Sequence, residues 1–160
     1  MSGIQLNPWC RFIGPFPELK ARHELKNAII VCPKSLQEKW QTELKEKFNF
    51  QFKIYDSTKE FISDVKERSG TIKAIVNYEK IRLPREGQGK KSTEKKNLFH
   101  LIEENNIKFD FILCDEAHRL RNHTTQTHKG VKKLIEITNS VVFLTATPIM
   151  ISEQNLFNLL

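Results

Sequence analysis

Asp110-Phe111-Ile112-Leu113-Cys114-Asp115-Glu116-Ala117-His118-Arg119 is an apolar run that ends on two adjacent carboxylates. Downstream, Val141-Val142-Phe143-Leu144 runs into Thr145-Ala146-Thr147-Pro148 in the same way. A short apolar stretch bounded by polar residues is the pattern of a strand buried on both faces. Ligands of open parallel sheets bind beyond the carboxyl ends of such strands. Carboxylates placed there have two uses. Asp115 can hold Mg²⁺, an ion that takes one or two carboxylates together with water and phosphate oxygens. Glu116 can orient or deprotonate an attacking water. A lone Asp-Glu pair is also what a solvated strand end looks like, so the reading depends on its surroundings.

Working outward, apolar strands alternate with helical periodicity. Strands are predicted at Ala28–Cys32, residues 52–55, residues 72–76, Phe109–Cys114 and residues 141–144. Between the first two, Leu36, Trp40, Leu44 and Phe48 recur at a helical spacing, which predicts a helix over residues 35–48. Phe61, Ile62 and Val65 share one face of a helix over residues 58–66, with Ser57 placed to cap it. Residues 93–105 and 124–137 complete the alternation. Such alternation implies a parallel sheet with helices on both faces. Pro33, Asn77, Asp115 and Thr145 then fall together at its carboxyl edge.

With these segments in place, a family resemblance emerges. Asp115-Glu116-Ala117-His118 resembles motif II (Walker B) of superfamily-two helicases, and Leu144-Thr145-Ala146-Thr147-Pro148-Ile149 resembles their motif III. The continuation Arg119-Leu120-Arg121-Asn122 is similar to that of the Swi/Snf-type helicase-like ATPases. Ala28-Ile29-Ile30-Val31-Cys32-Pro33-Lys34-Ser35-Leu36 with Trp40 resembles motif Ia. Val76-Asn77-Tyr78-Glu79-Lys80-Ile81-Arg82 resembles the segment bearing motif Ib, and residues 155–160 the helix after motif III.

The resemblance spans residues 24–160 in the family's order. It implies a three-layer RecA-like α/β lobe of the P-loop NTPase type, preceded by an irregular arm at residues 1–23 that holds three prolines. It further implies that Asp115, Glu116 and His118 are catalytic, with Asp115 holding Mg²⁺ through ATP. Thr145 and Thr147 would couple the nucleotide to the rest of the lobe. Lys34, Ser35 and Tyr78 would lie against double-stranded DNA.

The pattern also departs from that family. Residues 1–23 hold no Gly-rich loop ending in Gly-Lys-Thr, so the first strand and phosphate loop of the lobe are expected to be missing. The nearest decoy is Gly87-Gln88-Gly89-Lys90-Lys91-Ser92. It has Pro84 where G-x-x-x-x-G-K-[ST] needs its first Gly and Lys91 where it needs Ser or Thr. The chain stops soon after motif III, so a second RecA-like lobe is expected only in a longer parent.

Composition limits the remaining possibilities. A hydrophobic fraction of 39% with eleven Phe suits a folded domain rather than a disordered chain. The net charge of +7 favours a polyanionic partner, nucleic acid first. Cys10, Cys32 and Cys114 are unpatterned, which excludes a disulfide framework or a zinc spacing and suggests a reducing, cytoplasmic setting. No apolar run approaches the ~18 residues of a membrane span.

Residues 85–96 carry Arg85, Lys90, Lys91, Lys95 and Lys96 without an apolar side chain. They read either as a solvated loop or as an arm along a nucleic-acid backbone. Lys34 and Ser35 likewise have two readings: phosphate contacts at a helix start, or, for Ser35, a plain N-cap. Trp40 is read as core because it keeps register with Leu36 and Leu44.

The function implied is that of a fragment of an ATP-dependent translocase on duplex DNA that remodels bound protein, the fragment alone being inactive. The alternative is a catalytically inactive DNA-binding or protein-interaction fragment. Without its neighbouring strand, the strand at residues 141–144 is also expected to form an exposed sheet edge prone to self-association, unless residues 1–23 fold back to replace that neighbour.

Overall fold

The first strand, β1 (Ala28–Cys32), has all five residues buried, as its unbroken Ala-Ile-Ile-Val-Cys run requires. It forms the middle of a five-stranded sheet in a computed structural model that describes residues 25–67, 71–83 and 98–145. The other strands are β2 (Lys53–Ile54), β3 (Lys73–Asn77), β4 (Phe109–Cys114) and β5 (Thr138–Phe143). Their order is β2-β3-β1-β4-β5, and every pairing is parallel. The helices are α1 (Gln37–Phe48), α2 (Thr58–Glu67), α3 (Tyr78–Ile81), α4 (Leu98–Glu104) and α5 (Gln126–Glu136).

Alternation along β1 divides the core. Ala28, Ile30 and Cys32 pack with Trp40 and Leu44 of α1, and with Ile75, Phe111 and Leu113. Ile29 and Val31 face the other way, toward Phe61 of α2, Ile81 of α3, Leu98 and Ile102 of α4, and Val131 and Leu134 of α5. A strand buried on both faces has to be apolar at every position. The sheet is therefore covered on both sides, as the strand–helix alternation predicts.

Three elements differ from the sequence reading. Residues 35–48 do not form one helix capped by Ser35. Pro33 leaves β1 extended (φ −57°, ψ 145°), and a 3-10 turn at Lys34–Leu36 intervenes before α1 begins at Gln37. β5 starts at Thr138, earlier than its apolar residues, because Thr138 pairs with Phe109 through main-chain groups that need no apolar side chain. β2 is only two residues long. Of the helix expected over residues 93–105, residues 93–97 lie outside the described residues, and α4 covers Leu98–Glu104.

The chain first moves from β1 outward to β2 and back through β3. It then crosses to the opposite side of β1 for β4 and β5. That reversal puts the topological switch point between the carboxyl ends of β1 and β4, the place where ligands of such sheets bind.

Candidate functional site

Asp115 follows β4 directly at this switch point, and the residue is 1% exposed. Its amide donates to the Val31 carbonyl of β1 (2.8 Å). Its Oδ2 accepts the indole N–H of Trp40 (2.9 Å), and its Oδ1 accepts the amide of Glu116 (2.8 Å). Its carbonyl accepts the hydroxyl of Tyr78 (2.5 Å). Burial pushes the Asp115 carboxyl above its ordinary value, while the Trp40 indole and the Glu116 amide pull it back by favouring the ionised form.

Glu116 occupies the left-handed region (φ 55°, ψ 45°), which costs a side-chain-bearing residue about 1–2 kcal/mol. The surrounding backbone holds it there. The Ala117 amide donates to the Leu144 carbonyl (2.8 Å), and the Leu144 amide donates to the Cys114 carbonyl (2.8 Å). The motif II turn and the end of the motif III strand are thus stitched together by main chain. Strain of this kind concentrates at functional sites.

Two buried polar atoms among the described residues make no hydrogen bond, Glu116 Oε2 and Gln37 Nε2. His118 Nδ1 lies 3.0 Å from that Glu116 oxygen, close enough to pair with it when protonated but not aligned as a hydrogen bond. Among the described residues no group of three or more acidic, His or Cys side chains could hold a metal alone. Mg²⁺ arrives with phosphate oxygens and water and needs only one or two protein carboxylates. The donor set fits: each Asp115 oxygen accepts one bond, leaving lone pairs free, and Glu116 adds a carboxylate oxygen that makes no hydrogen bond.

The remaining expected site residues fall as follows. Lys34 and Ser35 are exposed on the 3-10 turn beyond β1. Thr145 is half-buried immediately after Leu144. Thr147, Lys90, Lys91, Lys95 and Lys96 lie outside the described residues.

Tyr78 is a correction. Expected against DNA, it is 5% exposed, and its hydroxyl is engaged by the Asp115 carbonyl, so it has no phenol to offer a phosphate. Trp40 is buried as expected, yet its one polar side-chain atom is bound to the Asp115 carboxylate. Its helical register indicated burial and could not reveal a partner 75 residues away.

An Asp-Glu-Ala-His turn joined to Leu-Thr at the edge of a parallel α/β sheet defines a superfamily-two helicase-like lobe. The chain belongs to the SNF2-related domain family, whose profile matches residues 12–160. Similar proteins include the RNA polymerase-associated protein RapA of Proteus mirabilis (strain HI4320), 26% identical over 138 residues, covering 82% of this chain and 13% of that protein. The uncharacterized ATP-dependent helicase YqhH of Bacillus subtilis (strain 168) is 27% identical, covering 89% and 21%. Protein CHROMATIN REMODELING 25 of Arabidopsis thaliana is 27% identical, covering 83% and 14%.

The fold is that of the Sulfolobus solfataricus SWI2/SNF2 ATPase core, solved in complex with dsDNA. The TM-score is 0.68 at 22% identity, over 98% of this chain and 29% of that one. The chain thus spans only a small part of the relatives it matches.

Proposed function

We propose that this chain forms part of the first RecA-like lobe of a DNA-stimulated SNF2-type ATPase, residues 24–160, preceded by an arm at residues 1–23 whose later part the family profile also matches. The whole protein would couple ATP hydrolysis to movement along duplex DNA and remodel bound protein. The observation that carries this reading is the Asp115–Glu116 turn at the sheet's switch point, with Asp115 buried, Glu116 strained and the turn bound to the motif III strand end.

MgATP, when bound, would supply the phosphoryl group that water attacks. The roles of the protein's own residues follow from their positions. Asp115 would hold the ion on its free lone pairs, kept in place by Trp40 and the Glu116 amide. Glu116 would accept the water's proton at Oε2, the oxygen without a hydrogen bond. His118, 3.0 Å from that oxygen, would bias which way the carboxylate points. Thr145 and Thr147 would carry the state of the turn toward the following segment. Lys34 and Ser35, exposed beyond β1, would meet the DNA backbone, joined by Lys90, Lys91, Lys95 and Lys96. Among the described residues no helix is long and apolar enough to cross a membrane, and a cytoplasmic setting belongs to the same proposal.

Assay of the full protein with and without duplex DNA tests the reading. Glu116→Gln should lower DNA-stimulated ATP turnover by about 10²–10⁴-fold. A full protein with no such turnover would rule out the enzyme reading in favour of an inactive binding module.

The chain by itself is expected to bind MgATP very weakly and to turn none over. Its sequence has no Gly-rich loop with a Lys to cradle the phosphates. Calorimetric titration decides this, and micromolar affinity would refute it. Duplex binding by the chain should be sequence-indifferent and steeply salt-dependent. Reversing Lys90, Lys91, Lys95 and Lys96 to Glu should flatten that slope; an unchanged slope would make residues 85–96 a plain solvated loop.

A further inference from the structure

Asp115 is held through four different groups by four different parts of the chain. Its amide is tied to Val31 of β1 and its carbonyl to Tyr78, the first residue of α3. Its two carboxylate oxygens are tied to Trp40 of α1 and to the Glu116 amide. Trp40 lies in the first turn of α1, directly after the 3-10 turn that exposes Lys34 and Ser35. Tyr78 opens the short helix from which the chain continues toward the lysine-rich sequence 85–96. Both side chains are buried, at 4% and 5% exposure. An indole can fill a core without any donor role, and a Phe would fill this one without a buried N–H to satisfy.

We infer that Trp40 and Tyr78 are positioning residues that transmit contact at the outer edge of α1 and α3 to the Asp115–Glu116 turn. This rests on the ATPase reading above. A polyanion drawn onto Lys34 and Ser35 pulls on the 3-10 turn and the start of α1. Trp40 is rigidly packed there, so its N–H moves with the helix, and Asp115 Oδ2 follows. Tyr78 carries the corresponding displacement of α3 to the Asp115 carbonyl.

Glu116, held in a strained left-handed conformation, would be the element that switches. In the left-handed conformation it keeps its amide on Asp115 Oδ1 and lets the Ala117 amide reach Leu144. Relaxation to the right-handed region would re-aim its carboxylate. Coupling requires a bistable element of this kind, not mere adjacency.

Two experiments test the link. In the full protein, Trp40→Phe keeps an aromatic ring in the core and removes the donor. The expected result is a fall in DNA-stimulated kcat of about 10- to 100-fold, the range associated with misplaced catalytic groups. KM for ATP and Kd for duplex should stay within about twofold, because only positioning is lost. Tyr78→Phe should behave the same way. Unchanged stimulation in both variants overturns the inference. If the wild-type protein has no ATPase activity, the functional reading fails separately.

The second experiment needs no ATP. Trp9 and Trp40 are the two tryptophans, so in ¹⁵N-Trp-labelled Trp9→Phe chain the single indole resonance belongs to Trp40. Duplex oligonucleotide should shift it in the wild-type background, and much less with Lys34→Glu. A resonance that stays in place at saturating duplex, or a chain that binds no duplex, overturns the link.

Discussion

Gly130 sits inside α5 with its Cα against the carbonyl of Ile81, where α3 ends. A Cβ built there would lie 2.1 Å from Ile81 O and 3.1 Å from Ile81 C. Both are backbone atoms, so neither can rotate away. Helix propensity alone would make Gly130→Ala stabilising by about 1 kcal/mol. Overpacking of this severity opposes it with about 3 kcal/mol or more. The clash wins, and a lower urea midpoint is expected; a raised midpoint would mean that α3 and α5 separate easily.

The same scale governs the thiols. Burial, with Asp115 nearby, pushes Cys32 up to about 12, and Cys114 well above the ordinary thiol range. The thiolate is the reactive form, so at pH 8 neither cysteine should be alkylated by iodoacetamide until the chain unfolds. Peptide mapping after a short pulse checks this, and labelling of Cys114 in the native state would contradict the packing described.

At the scale of elements, one polar clip sets the register of three strands. Asn27 lies just before β1. Its Oδ1 accepts the Ile72 amide before β3 (2.8 Å), and its Nδ2 donates to the Lys108 carbonyl before β4 (3.1 Å). Its own amide donates to Asp110 Oδ2 (2.7 Å), and its carbonyl accepts the Asp110 amide (2.8 Å). Asn27→Ala strands a partly buried backbone donor and should cost about 1–3 kcal/mol. Asn27→Asp should recover part of that by keeping the acceptor. Equal losses in both, measured by thermal unfolding, would show that the acceptor is unimportant.

This clip was not legible beforehand, because polar residues at strand ends read as ordinary turn chemistry. β1 and β4 were legible, since strands buried on both faces must be apolar throughout. The start of β5 was not, because Asn139 and Ser140 join the ladder with exposed side chains. Asp115 and Glu116 were legible as a motif. Their setting was not: Trp40 and Tyr78 come from distant segments, and only the closed fold brings their donors to one residue.

For the whole molecule, the distribution of sheet neighbours matters more than total core size. β1 and β4 each have partners on both sides, whereas among the described residues β5 pairs only with β4. Burial follows the same gradient. Phe111–Cys114 are buried, while Val141, Val142 and Phe143 are half-buried and Asn139 and Ser140 exposed. Amides at sheet centres exchange by global opening, and those of sparsely covered edges by local opening at lower free energy. Exchange measured by mass spectrometry should therefore be faster over residues 138–143 than over 109–114. An edge with apolar character is also a template for pairing with a second chain. The chain should associate as its concentration rises, despite its net charge of +7. Placing a charge on that edge, Ser140→Lys, should weaken association while leaving the β4 amides protected, because position 140 faces solvent and contributes nothing to the core. Sedimentation of both forms across a concentration series gives the answer. Equal protection in β4 and β5, with a monomer at every concentration, would mean that the β5 edge is already covered.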